Sequence, residues 1–132
     1  MYKLTIIMMI TLFVGLSAHA ASAEDSIVYE LRTYTTNEGK LENLQSRFRD
    51  HTLRLFEKHG IKNIGYWIPT DKGNTLTYLL QHNSREAAKL SWKSFIADPV
   101  WREVYANSIA DGPLVSNIDS TFMVATDYSP MK

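Results

Sequence analysis

No cysteine occurs among the 132 residues. That absence excludes disulfides, thiolate metal sites, iron–sulfur clusters and cysteine nucleophiles together. It also excludes a lipid anchor, which would need a cysteine at a leader's cleavage site. Neither sign of charge is in excess: 14 Lys and Arg stand against 14 Asp and Glu. A balanced surface offers no basic footprint, so no nucleic-acid partner is expected. The sequence has no His-Glu-x-x-His, Gly-x-Ser-x-Gly, phosphate loop or dinucleotide fingerprint, which argues against hydrolases, kinases and NAD enzymes of the usual kinds. His51 and His59 are more than two helical turns apart and His82 falls on a strand, so no ligand spacing for a metal is present. Neither a metal nor a cofactor is expected.

A long apolar run is missing too. The stretch Leu4 to Leu16 is nearly all apolar, short of the roughly 20 residues a helix needs to cross a bilayer core. Lys3 precedes it. Ala18-His19-Ala20 and Ala21-Ser22-Ala23 follow it, both of the small-x-small cleavage type. Residues 1–23 are therefore expected to be a removable export leader, with Ala20 the alternative cleavage point. The rest is expected in the periplasm or outside the cell, with no stable membrane anchor once the leader is gone. Loss of Lys3 leaves one more acid than base.

What is present reads as one globular domain, residues 24–132. Hydrophobic residues make up 45% and aromatics 11%. Ile27 to Thr36 alternates strictly. Ile27, Tyr29, Leu31 and Thr33 share one face, and Val28, Glu30, Arg32 and Tyr34 the other, as a strand requires. Lys40 to His59 repeats its apolar residues every three or four, with Leu41, Leu44, Phe48, His51, Thr52, Leu55 and Phe56 on one side and Arg47 among the outer residues. Gly60 suits the left-handed position that ends such a helix. Lys62 to Ile68 and Thr75 to His82 form a hairpin across a turn that contains Pro69 and Gly73. Ser84 caps a helix over Arg85 to Ala97, with Ala88, Trp92, Phe95 and Ile96 inward. Asp98-Pro99 starts another helix that runs to about Ile109. Leu114 to Thr126 is the last strand.

The order is β-α-β-β-α-β, the ferredoxin-like α+β arrangement, with helices on one face of an antiparallel sheet. The other face needs a partner, and a second copy of the chain, giving a dimeric α/β barrel, is the economical one. The Glu30, Arg32 and Tyr34 face is expected to meet that partner. Tyr29 and Leu31 are expected to face the subunit's own helices. Trp67 and Leu79 would add apolar area if they share the Glu30 face.

The segments Tyr29-Glu30-Leu31-Arg32-Thr33-Tyr34, Gly39-Lys40-Leu41, Arg47-Phe48-Arg49-Asp50-His51-Thr52 and Lys58-His59-Gly60 resemble the NIPSNAP family, in that order. So do Gly65-Tyr66-Trp67, Asp98-Pro99 with Trp101, and Thr126-Asp127-Tyr128-Ser129-Pro130. The resemblance covers nearly all of the chain after the leader. It implies a dimeric barrel of ferredoxin-like subunits and no settled reaction. The structural cousins of that family include cofactor-free monooxygenases and heme-degrading proteins, which bind ligands between sheet and helices. That is analogy of fold.

Five residues are candidates for a site. His51, on the apolar side of the first helix, is either a general base or ligand contact, or a core histidine bonded to backbone. A heme-ligand role is a third option. Arg32 could bind a substrate carboxylate with Glu30 holding it in place. The alternative is an ion pair within the sheet or at a dimer interface. Tyr34 and Trp67 are chosen as pocket-lining aromatics, the other large rings being assigned mostly to the core. The leading expectation is an exported homodimeric barrel that binds a small, partly apolar organic molecule. One alternative is a cofactor-independent monooxygenase- or isomerase-like enzyme with His51 as base and Arg32 or Tyr34 orienting an oxyanion. The other is a non-catalytic structural module.

Overall fold

The computed structural model describes residues 26–132, so the expected leader lies outside the described residues. Strand β1 (Val28–Thr36) is followed by a single long helical stretch in three pieces: α1 (Leu41–Arg47), a π-helical turn (Phe48–Thr52) and α2 (Leu53–Lys58). The hairpin β2 (Lys62–Trp67) and β3 (Thr75–His82) comes next. Helices α3 (Arg85–Ala97) and α4 (Pro99–Ser108) then lead to β4 (Val115–Met123). The strands make one antiparallel sheet in the order β2-β3-β1-β4. This is the ferredoxin-like topology the element order predicted.

The local reasons match the sequence signals. Gly60 sits at φ +78° just past α2, and the Ile61 N–H returns to the Phe56 carbonyl at 2.9 Å, closing the helix end. The Ser84 hydroxyl accepts from the Ala87 N–H at 3.0 Å and starts α3. Asp98 accepts from the Val100 N–H at 2.8 Å and starts α4, with Pro99 at the first helical position.

The core lies between the sheet and the helices. Leu76, Tyr78 and Leu80 on β3 are each at most 4% exposed and meet Leu44, Phe48, Phe56 and Phe95. Phe48, Phe56, Tyr66 and Tyr78 pack ring against ring at centroid separations of 5.1–6.4 Å. Truncating one such ring to alanine typically costs about 3–5 kcal/mol. Ile96, expected inward on α3, is instead 59% exposed.

The facing of β1 is the reverse of the expectation. Antiparallel neighbours in register share a face, and β1 pairs Glu30 with Leu80, Arg32 with Tyr78 and Tyr34 with Leu76. The buried face of β3 therefore carries Glu30, Arg32 and Tyr34 with it, against the helices. Tyr29, Leu31 and Thr33 look the other way. Trp67 and Leu79 share that outer face through the pairs Leu31–Leu79, Gly65–Leu79, Thr33–Thr77 and Trp67–Thr77.

Candidate functional site

Two consecutive alternate residues of β1 build a closed polar network under the helices. Glu30 is 1% exposed. One of its oxygens accepts from Arg32 Nη1 at 2.5 Å and from the Ser120 hydroxyl of β4 at 2.8 Å. The other accepts from Trp92 Nε1 of α3 at 2.8 Å and from His82 Nε2 of β3 at 2.9 Å. Burial alone would raise this carboxyl, but the bonds from His82, Trp92 and Arg32 outweigh it and hold it at about 2. The ionised carboxylate has no proton to give, so His82 Nε2 carries the hydrogen. His82 Nδ1, also buried, has no partner among the described residues.

Arg32 is equally committed. Nε donates to the Tyr78 hydroxyl at 2.8 Å and Nη2 to the Tyr34 hydroxyl at 3.1 Å. Its guanidinium carbon lies 4.5 Å from the centre of the Trp92 ring. Burial disfavours the cation, but the Tyr78 and Tyr34 hydroxyls and Glu30 more than restore it. The Tyr78 hydroxyl, sealed in the core, is pushed well up by burial. Glu30 and Arg32 thus satisfy each other inside the fold.

Tyr34 links this network to open space. It lines a cavity of about 470 Å³ between β1, β4 and the helices, within the usual range for small-molecule pockets. The floor comes from β4 around Ser116 and Ile118. The walls are Phe48, Trp101, Tyr105 and Arg47. β4 is the edge strand beside β1, and its first residues, Val115 to Ile118, border the space.

Arg47 was not foreseen as a site residue, and its assignment to the outer side of the helix is overturned. It is 7% exposed. A π turn begins directly after it. Its wider pitch puts Thr52, not His51, beneath Arg47: the Thr52 hydroxyl donates to the Arg47 carbonyl at 3.1 Å, five residues back. Thr52 takes the buried position and is 1% exposed, while Arg47 and Phe48 both point inward. The spacing of Arg47 from Leu44 offered the signal, since three residues along a helix is the same face.

His51 is correspondingly turned out. It lies partly exposed in an outer groove of about 620 Å³ between the first helical stretch and α4, along with Asp50, Arg54 and Glu103. Its Nδ1 is 3.2 Å from Arg54 Nη2. The apolar-side placement expected for it is therefore corrected. Trp67 is 54% exposed on the outer sheet face, its indole folded back over Gly65, where a Cβ would collide with the ring. The five expected site residues thus separate: Glu30, Arg32 and Tyr34 come together, and His51 and Trp67 lie elsewhere.

A second polar cluster ties helix ends together. Asp98 Oδ2 accepts from Lys58 Nζ and from His59 Nε2, both at 2.7 Å, and His59 Nδ1 meets the Ser94 hydroxyl at 2.7 Å. The hydrogen bonds from Lys58 and His59 hold the Asp98 carboxyl far below its ordinary value. With Asp98 also capping α4, this is a fastening between α2 and the α3–α4 corner. Among the described residues no group of His, Asp and Glu is arranged to hold a metal ion.

Comparison with known proteins agrees with this architecture. No curated protein matches the sequence with significance. A crystal structure of a NIPSNAP family protein of unknown function from Agrobacterium tumefaciens is 20% identical, covers 82% of this chain and 96% of its own, and has a TM-score of 0.71. A NIPSNAP-like domain protein from Burkholderia xenovorans is 18% identical over 80% of this chain and 90% of its own, with a TM-score of 0.70. The cofactor-independent oxygenase SnoaB from Streptomyces nogalater is 17% identical over 80% and 98%, with a TM-score of 0.57. At such identities the likeness speaks for the fold alone. The family profile, by contrast, matches residues 29–130, from the polar network on β1 into the tail, and on that match the chain belongs to the NIPSNAP family.

Proposed function

We propose that the chain is an exported homodimer that binds a small, partly apolar organic molecule in the cavity between β1, β4 and the helices. The observation that carries this is the composition of the cavity wall. Aromatic and aliphatic side chains supply most of it, with Tyr34, Arg47, Thr52, Tyr105, Ser116 and Asn117 as the residues that carry polar groups. That is the pattern of a ligand pocket, apolar with a few placed polar groups. Among the described residues the wall holds no carboxylate and no imidazole. Binding therefore fits it better than proton abstraction, which needs a base that titrates near neutrality.

The enzymatic alternative, a cofactor-independent oxygenase or isomerase, draws on the fold shared with an oxygenase. With His51 as base it would have to operate in the outer groove, since His51 does not border the cavity. The groove is polar and wide open, a poor place to exclude water. Arg32 and Glu30 serve the binding reading indirectly, by fixing the Tyr34 phenol from behind.

Dimerisation is supported by the outer sheet face, where Leu31, Leu79, the exposed Trp67 and the partly exposed Met123 make an unpartnered apolar surface. Export is supported by the composition of residues 1–23. Native mass spectrometry of the protein purified from its own host tests dimer and ligand together. A mass of two subunits carrying small-molecule adducts is expected. Bare monomer at micromolar concentration would defeat both parts.

A further inference from the structure

The partly buried Arg32 and the buried Arg47 are treated oppositely. Arg32 has a carboxylate, two phenols and a ring face. Arg47 has almost nothing. Its Nη1 donates to the Ser108 hydroxyl at 3.1 Å, and its guanidinium carbon is 5.4 Å from the centres of both the Trp101 and Tyr105 rings. Its Nε is buried with no hydrogen-bond partner among the described residues. Among the described residues no carboxylate forms an ion pair with it, although Glu42, Asp50, Glu103 and Asp111 border the groove on its other side. Burial weakens the cation, and the Tyr34, Tyr105 and Tyr78 hydroxyls do not restore it.

A buried guanidinium stays charged and presents five N–H donors in a planar fork. Left unpaired, it costs stability. A fold keeps such a group where something outside the chain supplies the counter-charge. Arg47 sits in the cavity wall, flanked by aromatic rings and opposite the Tyr34 hydroxyl's strand. We infer that the cavity selects a carboxylate: a small acid whose carboxyl group pairs with Arg47 and whose apolar body lies among Phe48, Trp101 and Ile118. This rests on the reading of the cavity as a ligand site and names the class of ligand.

The planar fork matches a carboxylate with two parallel hydrogen bonds, which a neutral amide of the same shape cannot reproduce. Paired probes therefore separate the two claims. The protein is titrated with benzoate, naphthoate and cinnamate and with the corresponding primary amides, and tryptophan emission is followed. The acids are expected to bind at least about tenfold more tightly than their amides. In Arg47→Met that preference should vanish while amide binding persists. Equal binding of acid and amide to the unaltered protein overturns the carboxylate assignment and leaves the cavity reading standing. A preference that survives in Arg47→Met overturns it as well. If neither acids nor amides bind, the cavity reading fails and this inference with it. The comparison in the unaltered protein needs no variant, so a misfolded Arg47→Met would not blunt it.

Discussion

Glu30 shows why single residues were the hardest part to read. Its type and its alternation with Arg32 were visible, and so was the pairing of the two. What decides its position is the set of donors that surround it, which come from β1, β3, α3 and β4. A carboxylate with four donors is at home inside a protein; one without them belongs at the surface. Those donors lie 52, 62 and 90 residues away for His82, Trp92 and Ser120, beyond any local pattern. Replacing Glu30 with Gln leaves Arg32 without its counter-charge and should cost about 3–5 kcal/mol in urea unfolding. The same residue gives a pH signature. Its folded pKa, about 2, lies below the ordinary 4.5, so its contribution is complete above pH 4.5 and is lost as pH falls toward 2. Unfolding midpoints measured across that window should fall more steeply for the natural chain than for Glu30→Gln. Parallel curves would show that the carboxylate is not held in this way. Arg47 is the converse case: the sequence carried the spacing from Leu44, but a cation three residues from a leucine is ordinarily an outer residue whose stem alone is covered.

At the scale of elements the pattern was nearly complete. All four strands, the caps at Ser84 and Asp98 and the stop at Gly60 were legible, because each is set by residues within a few positions. The π turn was not. A helix with one extra residue in a turn keeps its apolar repeat before and after, and only the phase shifts across Phe48–Thr52. That shift takes His51 off the buried side, while Thr52 stays on it. The Thr52 hydroxyl answers a carbonyl that the wider turn would otherwise leave less well satisfied. Thr52→Val keeps the shape and removes that donor, and a loss of about 1 kcal/mol is expected in urea unfolding. An unchanged midpoint would mean that the turn does not depend on the hydroxyl.

For the whole molecule, topology followed from the element order, and one-sided helix cover followed from topology. The choice of face did not. Both faces of β1 contain polar groups, and only the register with β3 says which of them the helices take. That register moves Glu30, Arg32 and Tyr34 from the outer sheet face to the interior of the fold. The outer face keeps Trp67, while Tyr34, Arg47 and Trp101 border the inner cavity. The three tryptophans report on the three regions separately: Trp67 on the outer face, Trp92 on the Glu30 network and Trp101 on the cavity wall. Heteronuclear NMR of their indole N–H signals during addition of naphthoate is the most direct measurement. The Trp101 signal is expected to move and the Trp67 signal to stay. Movement of Trp67 with Trp101 unchanged would contradict the account and place the ligand on the outer sheet face.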